Sequence, residues 1–156
     1  RTGDLKAIAD ANELAIALSG SRERRLEAVA QGNAFLSAIS AAWQAPGIDE
    51  ARAHLVGDVA YPIAVAVASA AHDVPLAATL EAFALAIVLN LVSAAIRLNA
   101  IGQTDGQRAT AALLSATQDL ARRAERATLD DIGGASFRSD VAALRHETQY
   151  TRLFRS

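Results

Sequence analysis

The sequence predicts an all-α protein, a single-domain compact helical bundle with a long apolar central helix. Three observations carry that expectation. Apolar residues recur at three- and four-residue spacing in one segment after another, with no longer period that would indicate tandem repeats. The chain is 52% hydrophobic and rich in alanine, yet holds only three prolines and nine glycines, a balance that favours packed helices over sheet or disorder. Finally, residues 75–108, PLAATLEAFALAIVLNLVSAAIRLNAIGQTDGQR, read as a long apolar helix followed by a sharply punctuated turn.

Residues 4–18 set Leu5, Ile8, Asn12, Ala15 and Ile16 near one side of a first helix, which Ser19-Gly20 ends. Ser21 is a good N-cap for a second helix reaching about Gln44. Its first turns carry Arg22, Glu23, Arg24, Arg25 and Glu27, and an apolar stripe of Leu26, Val29, Phe35, Leu36, Ile39 and Trp43 follows. Charge runs of this kind are ordinarily solvated helix ends, so that reading is preferred here to a partner contact. Gly32 interrupts the helix at a cost in propensity. Ala45-Pro46-Gly47 reads as a turn, 48–57 as a short helix, and Asp58 or Tyr61-Pro62 opens another through Ala71. Small residues across 63–71 permit close helix approach.

The long helix comes next. Leu85, Leu89, Val92 and Ile96 stand at helical spacing, with Ala82, Ala86, Ile87, Val88, Leu91 and Ala95 filling most other faces, so its neighbours are expected to cover it. Asn90, Ser93 and Arg97 form one polar line on it, each requiring a hydrogen-bond partner, water or an interface. Gly102 is placed as a glycine C-cap, and Thr104 with Gln107 has capping-box spacing for the next helix, 105–128. That helix carries Leu113, Leu114 and Leu120 early and a basic end, Arg122-Arg123-Ala124-Glu125-Arg126, which suits the macrodipole. A loop over 129–137 holds Asp130-Asp131 and Gly133-Gly134, and Ser139 caps a last short helix to about His146.

The segment Asn90-Leu91-Val92-Ser93-Ala94-Ala95-Ile96-Arg97-Leu98, followed by Gly102-Gln103-Thr104-Asp105-Gly106-Gln107-Arg108, closely resembles the most characteristic part of the urease accessory protein F family. The ending, Leu144-Arg145-His146-Glu147-Thr148-Gln149-Tyr150-Thr151-Arg152-Leu153-Phe154-Arg155-Ser156, is similar to that family's C-terminal tail. Tyr61-Pro62 and the small residues after it match more loosely. The resemblance implies an all-α, nonenzymatic, cytosolic maturation factor, commonly a homodimer. Such a factor joins accessory protein D (also called H) and the GTPase accessory protein G on apo-urease, recruiting and regulating the GTPase for nickel delivery. No tightly bound cofactor is implied, since nickel is handled by the assembled complex.

By matching position, Arg97 and Gly102 to Arg108 make the signature turn, and the polar line is expected to border a water-filled route for metal ions. Residues 1–144 form the helical domain and 145–156 the docking tail, with Arg145, His146, Glu147, Gln149, Tyr150, Arg152, Leu153, Phe154 and Arg155 as partner-binding residues. Arginine and aromatic groups anchor interfaces, which supports the docking reading on residue chemistry alone. The signature turn is expected to build the surface on which the tail lies. The resemblance also implies an N-terminal segment rich in proline, glycine, serine and tyrosine; the sequence starts at Arg1-Thr2-Gly3 without that motif, so the helical domain is expected to lack it, either because it was removed or because this member does without it.

Other classes fit less well. Seventeen acidic against fifteen basic residues leave a formal charge of −2 and no overall basic field for nucleic acid. Without cysteine there is no disulfide, thiolate nucleophile or cysteine metal site. The charge-poor segments 59–71 and 82–96 fall short of the roughly 18 residues a membrane span needs, and are expected to be core helices. His54, His72 and His146 lie in separate segments outside any known metal pattern, and Gly102 to Arg108 lacks the lysine of a phosphate loop. The rivals are a generic helical interaction or chaperone domain unrelated to nickel, and a small enzyme using His146 and Glu147.

Overall fold

The computed structural model describes residues 4–134 and 136–150. Among these are seven α-helices and no strand: α1 Leu5–Ala17, α2 Arg22–Ala42, α3 Pro46–His54, α4 Tyr61–Ala71, α5 Leu76–Arg97, α6 Gln103–Arg126 and α7 Phe137–Glu147. A short 3-10 turn, Leu129–Asp131, follows α6. The chain divides into two compact units, one of residues 1–73 with 134–156 and the other of residues 74–133.

In the first unit, Leu36, Ile48, Ala51, Leu55, Val59, Ala64 and Val67 form the core, with Ile8, Phe35, Ile39 and Ile63 packed at its edge. Ser21 caps α2 as expected, its hydroxyl accepting from the Arg24 amide at 3.2 Å. Gly32 has a positive role beyond its propensity cost: a Cβ there would stand 2.0 Å from the Val59 carbonyl oxygen. Only glycine lets α2 approach the entry to α4 this closely. Two asparagines secure that entry. Buried Asn12 donates to the Asp58 carbonyl and accepts from the Ala60 amide, both at 2.9 Å, and Asn33 accepts from the Val59 amide at 3.0 Å. Phe35 and Tyr61 then meet edge to face, 5.7 Å apart.

Several local expectations shift. Pro46 opens α3 in the first turn, where its missing N–H costs nothing, instead of sitting in a separate turn. Leu26 and Trp43, at the two ends of the predicted α2 stripe, are exposed. α7 begins at Phe137 and not at Asp140, and Ser139 is engaged elsewhere, as described below.

The second unit is an αα-hairpin of α5 and α6. α5 is apolar nearly all round, but the expectation that its neighbours cover it is not met. Ala84 is its buried residue, while Leu76, Ile87, Leu89 and Leu91 are exposed. α6 does not pack through its leucines either: Leu113, Leu114 and Leu120 are exposed, and Gly106, Thr117 and Ala121 are buried. Gly106 of α6 makes room for Val92 and Ile96 of α5, while Leu113, Leu114 and Leu120 of α6 stay exposed. The helix is also longer than its charge-free part suggested. At 22 residues, with mean hydropathy 2.0 over its most apolar window, α5 is long and apolar enough to cross a membrane by length and composition.

Candidate functional site

The connection between α5 and α6 holds the predicted signature turn, with different capping from that expected. α5 ends at Arg97, and Asn99 adopts the left-handed conformation (φ 55°) that the sequence reading gave to Gly102. The Ala100 amide bonds to the Ala95 carbonyl and the Asn99 amide to the Ile96 carbonyl, both at 2.9 Å, which is the Schellman pattern. Asparagine tolerates this backbone region better than other non-glycine residues. Gly102, at φ −83°, is the N-cap of α6 and supplies no side chain, so Thr104 and Gln107 lie inside the helix and form no capping box. Gly106 is buried against α5: a Cβ there would meet Ile96 Cδ1 at 2.8 Å and Val92 Cγ1 at 3.0 Å. Arg108 pairs with Asp105 at 2.9 Å one turn away, and Gln103 begins the helix.

The polar line is not a buried network. Asn90 and Arg97 are exposed, Ser93 is half-buried, and the Arg97 guanidinium donates to Ser93 Oγ at 2.9 Å on its own helix. No interhelical partner is required, because water reaches these groups.

The tail residues divide differently from the sequence reading. Arg145, His146 and Glu147 complete α7, and two of them face α2. His146 Nδ1 lies 2.5 Å from Glu23 Oε2, and the Arg22 amide donates to Glu147 Oε1 at 2.7 Å. About two turns earlier on α7, Arg24 donates to Asp140 Oδ1 at 2.8 Å and to Ser139 Oγ at 2.7 Å. Glu147 thereby satisfies one of the amides left open at the start of α2, where the macrodipole favours a carboxylate. Beyond the helix, the Gln149 amide bonds to the His146 carbonyl at 3.1 Å, and Tyr150 is fully exposed. Arg152, Leu153, Phe154 and Arg155 lie outside the described residues.

Sequence reasoning missed Arg22, Glu23 and Arg24 as partners of α7, reading them as a solvated end. The pairs they make span 115 to 125 residues, so no local signal could have shown them.

Open hollows among the described residues include one in each unit. In the first unit, one of about 430 Å³ is lined by Ser37, Ser40, Gln44, Asp49 and Arg52, with the Ser40 hydroxyl already donating to the Leu36 carbonyl at 2.7 Å. In the second unit, one of about 580 Å³ runs along α6 by Asp119, Arg122, Arg123 and Arg126. Arg122 pairs there with Asp119, and Arg123 and Arg126 stand in the last turn, where the macrodipole favours cations. Asp131 lines neither hollow. Its carboxylate is held below the usual range by the Thr128 backbone amide first and the Thr128 hydroxyl second, with desolvation opposing weakly.

Among the described residues no three histidine or acidic side chains converge as a metal site. His54 contacts the Glu50 carbonyl at 3.0 Å and His72 the Trp43 carbonyl at 3.2 Å. Among the described residues the geometry shows exposed apolar side chains on α5 and α6 and a last helix fastened to α2 by polar contacts.

A family model described as UreF matches residues 1–114. The chain is 58% identical to the urease accessory protein UreF of Xanthobacter autotrophicus, over 99% of the chain and 63% of that relative. Against proteins of the same description from Azorhizobium caulinodans and Rhodopseudomonas palustris the identity is 54% in each case, again over 99% of the chain, and over 66% and 65% of the relatives. The chain thus spans just under two thirds of the length of these curated relatives.

Proposed function

Because the chain belongs to the UreF family, we propose that it is a non-catalytic urease maturation factor. In this reading it acts in the cytoplasm with accessory protein D/H and the GTPase accessory protein G on apo-urease. Its part is to recruit and regulate the GTPase while nickel, the cargo of the assembled complex, passes to the urease active site. No resident metal belongs to it. One observation carries the reading: identity of 51–58% to relatives described as urease accessory protein UreF, sustained over nearly the whole chain.

Physical features support it secondarily. The exposed leucines and isoleucine of α5, with those of α6, are the kind of apolar surface that marks association, and a homodimer is the proposed use of it. The chain after Leu144 is proposed as the docking segment for the accessory proteins, with exposed Arg145 and Tyr150 as its described anchors. Gly102 to Arg108 is proposed as a further surface used within the complex.

Size-exclusion chromatography with light scattering, mixing the chain with accessory protein D and then G, tests this. A complex with the intact chain that is lost on ending it at Leu144 is the expected result. A folded, intact chain that binds neither protein overturns the reading.

A further inference from the structure

The corner between α2 and α3 holds an open hollow of about 430 Å³, a size typical of ligand sites, and the maturation reading leaves it without a use. Ser37 and Ser40 of α2 and Gln44 just past its end line it together with Asp49 and Arg52 of α3. Buried Ile48 adds an apolar part to the lining. Among the described residues, the side chains of Ser37, Gln44, Asp49 and Arg52 make no hydrogen bond or ion pair with the rest of the chain. Ser40 donates to the Leu36 carbonyl and keeps its acceptor lone pairs.

The charged pair sets this hollow apart. The chain has three Asp-x-x-Arg spacings within helices, each of which makes the two side chains neighbours on one face. Asp105 and Arg108 close at 2.9 Å, and Asp119 pairs with Arg122. Asp49 and Arg52 remain apart, so a carboxylate and a guanidinium stand side by side with their bonding capacity unused. The macrodipole accounts for an acid in the first turn of α3 and a base in its last. It does not account for the amide and hydroxyls gathered in the same hollow.

We propose that this hollow docks an extended segment of a protein partner that carries one basic and one acidic side chain two residues apart. Helix positions three apart set their Cβ atoms about 5–6 Å from each other. Alternate residues of an extended chain share a face and stand about 6.6 Å apart, so the two charge pairs can form together. The Arg52 guanidinium takes the segment's carboxylate through its forked N–H donors, and Asp49 accepts from its ammonium group. Gln44 and Ser37 each hold both a donor and an acceptor for the peptide groups between. Because the hollow is open along its length, a chain lying across it fits better than an enclosed small molecule. The site rests on α2 and α3 alone and is independent of the docking role proposed for the residues after Leu144.

The capped peptide Ac-Lys-Gly-Glu-NH2, whose only charges are its two side chains, is the probe. It is titrated into the isotope-labelled full chain up to about 10 mM, where a millimolar complex is largely formed, and amide NMR shifts are followed. Saturable shifts confined to the amides around residues 37–52 are expected. Replacing the peptide's Glu by Gln, or Arg52→Gln in the chain, should each weaken binding roughly one-and-a-half- to fivefold. Both changes together should weaken it no further than either alone, since they remove the same pair. Asp49→Asn with the peptide's Lys replaced by Gln should behave in the same way. Both chain variants lie at exposed positions, and circular dichroism checks that their helices are intact. Absence of saturable shifts at these amides overturns the proposal, as does equal binding of the neutral Ac-Gln-Gly-Gln-NH2. Losses that add instead of coupling, which would mark general ionic attraction, overturn it too.

Discussion

The Val59 carbonyl oxygen lies where a side chain on Gly32 would have to begin, 2.0 Å from an ideal Cβ. The obstacle is backbone, and the Ala60 carbonyl carbon and Tyr61 nitrogen stand only 2.7 Å away. No rotamer change relieves such a clash.

Gly32→Ala is therefore expected to destabilise the chain by about 3 kcal/mol, despite the better helix propensity of alanine. Gly106→Ala, whose nearest atoms are the flexible tips of Ile96 and Val92, should cost less than about 1 kcal/mol, because those side chains can turn away. Urea unfolding of the two variants checks the contrast, and equal losses would contradict it.

Asn12→Ala should cost about 1–3 kcal/mol, since it leaves the buried Ala60 amide without its acceptor. Asn33→Ala is expected to be milder, because Asn33 is exposed and water can take its place at the Val59 amide. Thermal melts of both variants beside the wild type are the measurement.

Arg97→Ala looks severe from the sequence, where a polar residue on an apolar helix suggests a buried network. The exposed guanidinium bonded to Ser93 makes the expected loss about 0.5 kcal/mol instead. A loss several times larger would show that Arg97 has a partner in solution beyond its own helix.

Asp131 accepts from the Thr128 amide at 2.8 Å and from its hydroxyl at 3.0 Å, closing the 3-10 turn. Its pKa is depressed in the folded chain, so its contribution to the turn is present above the unfolded value and lost as pH falls through the lower folded value. Thr128→Ala removes the hydroxyl and keeps the amide. The Asp131 titration followed by carboxyl carbon NMR should then move part of the way up toward the ordinary carboxylate range. No movement would mean that the hydroxyl contact does not form.

The sequence by itself determined the helical class, the order of the helices and the cap at Ser21, because periodicity and capping act within a few residues. The two blocks that carry the family resemblance were also legible from the residues alone, and the family follows from them. Tertiary structure decided the rest. That Asn99 and not Gly102 takes the left-handed turn depends on where α5 stops, which propensity leaves open by several residues. Gly32 looked like a blemish in its helix and Gly106 like part of a turn, until the neighbouring chain was seen to fill the missing side chains' space. Leu91, Leu113 and Leu120 looked like core, yet they are exposed and Gly106, Thr117 and Ala121 are the buried residues of α6, since apolar character says that a face can be buried and not which face is. His146 and Glu23 stand 123 residues apart, and only folding brings them within 2.5 Å.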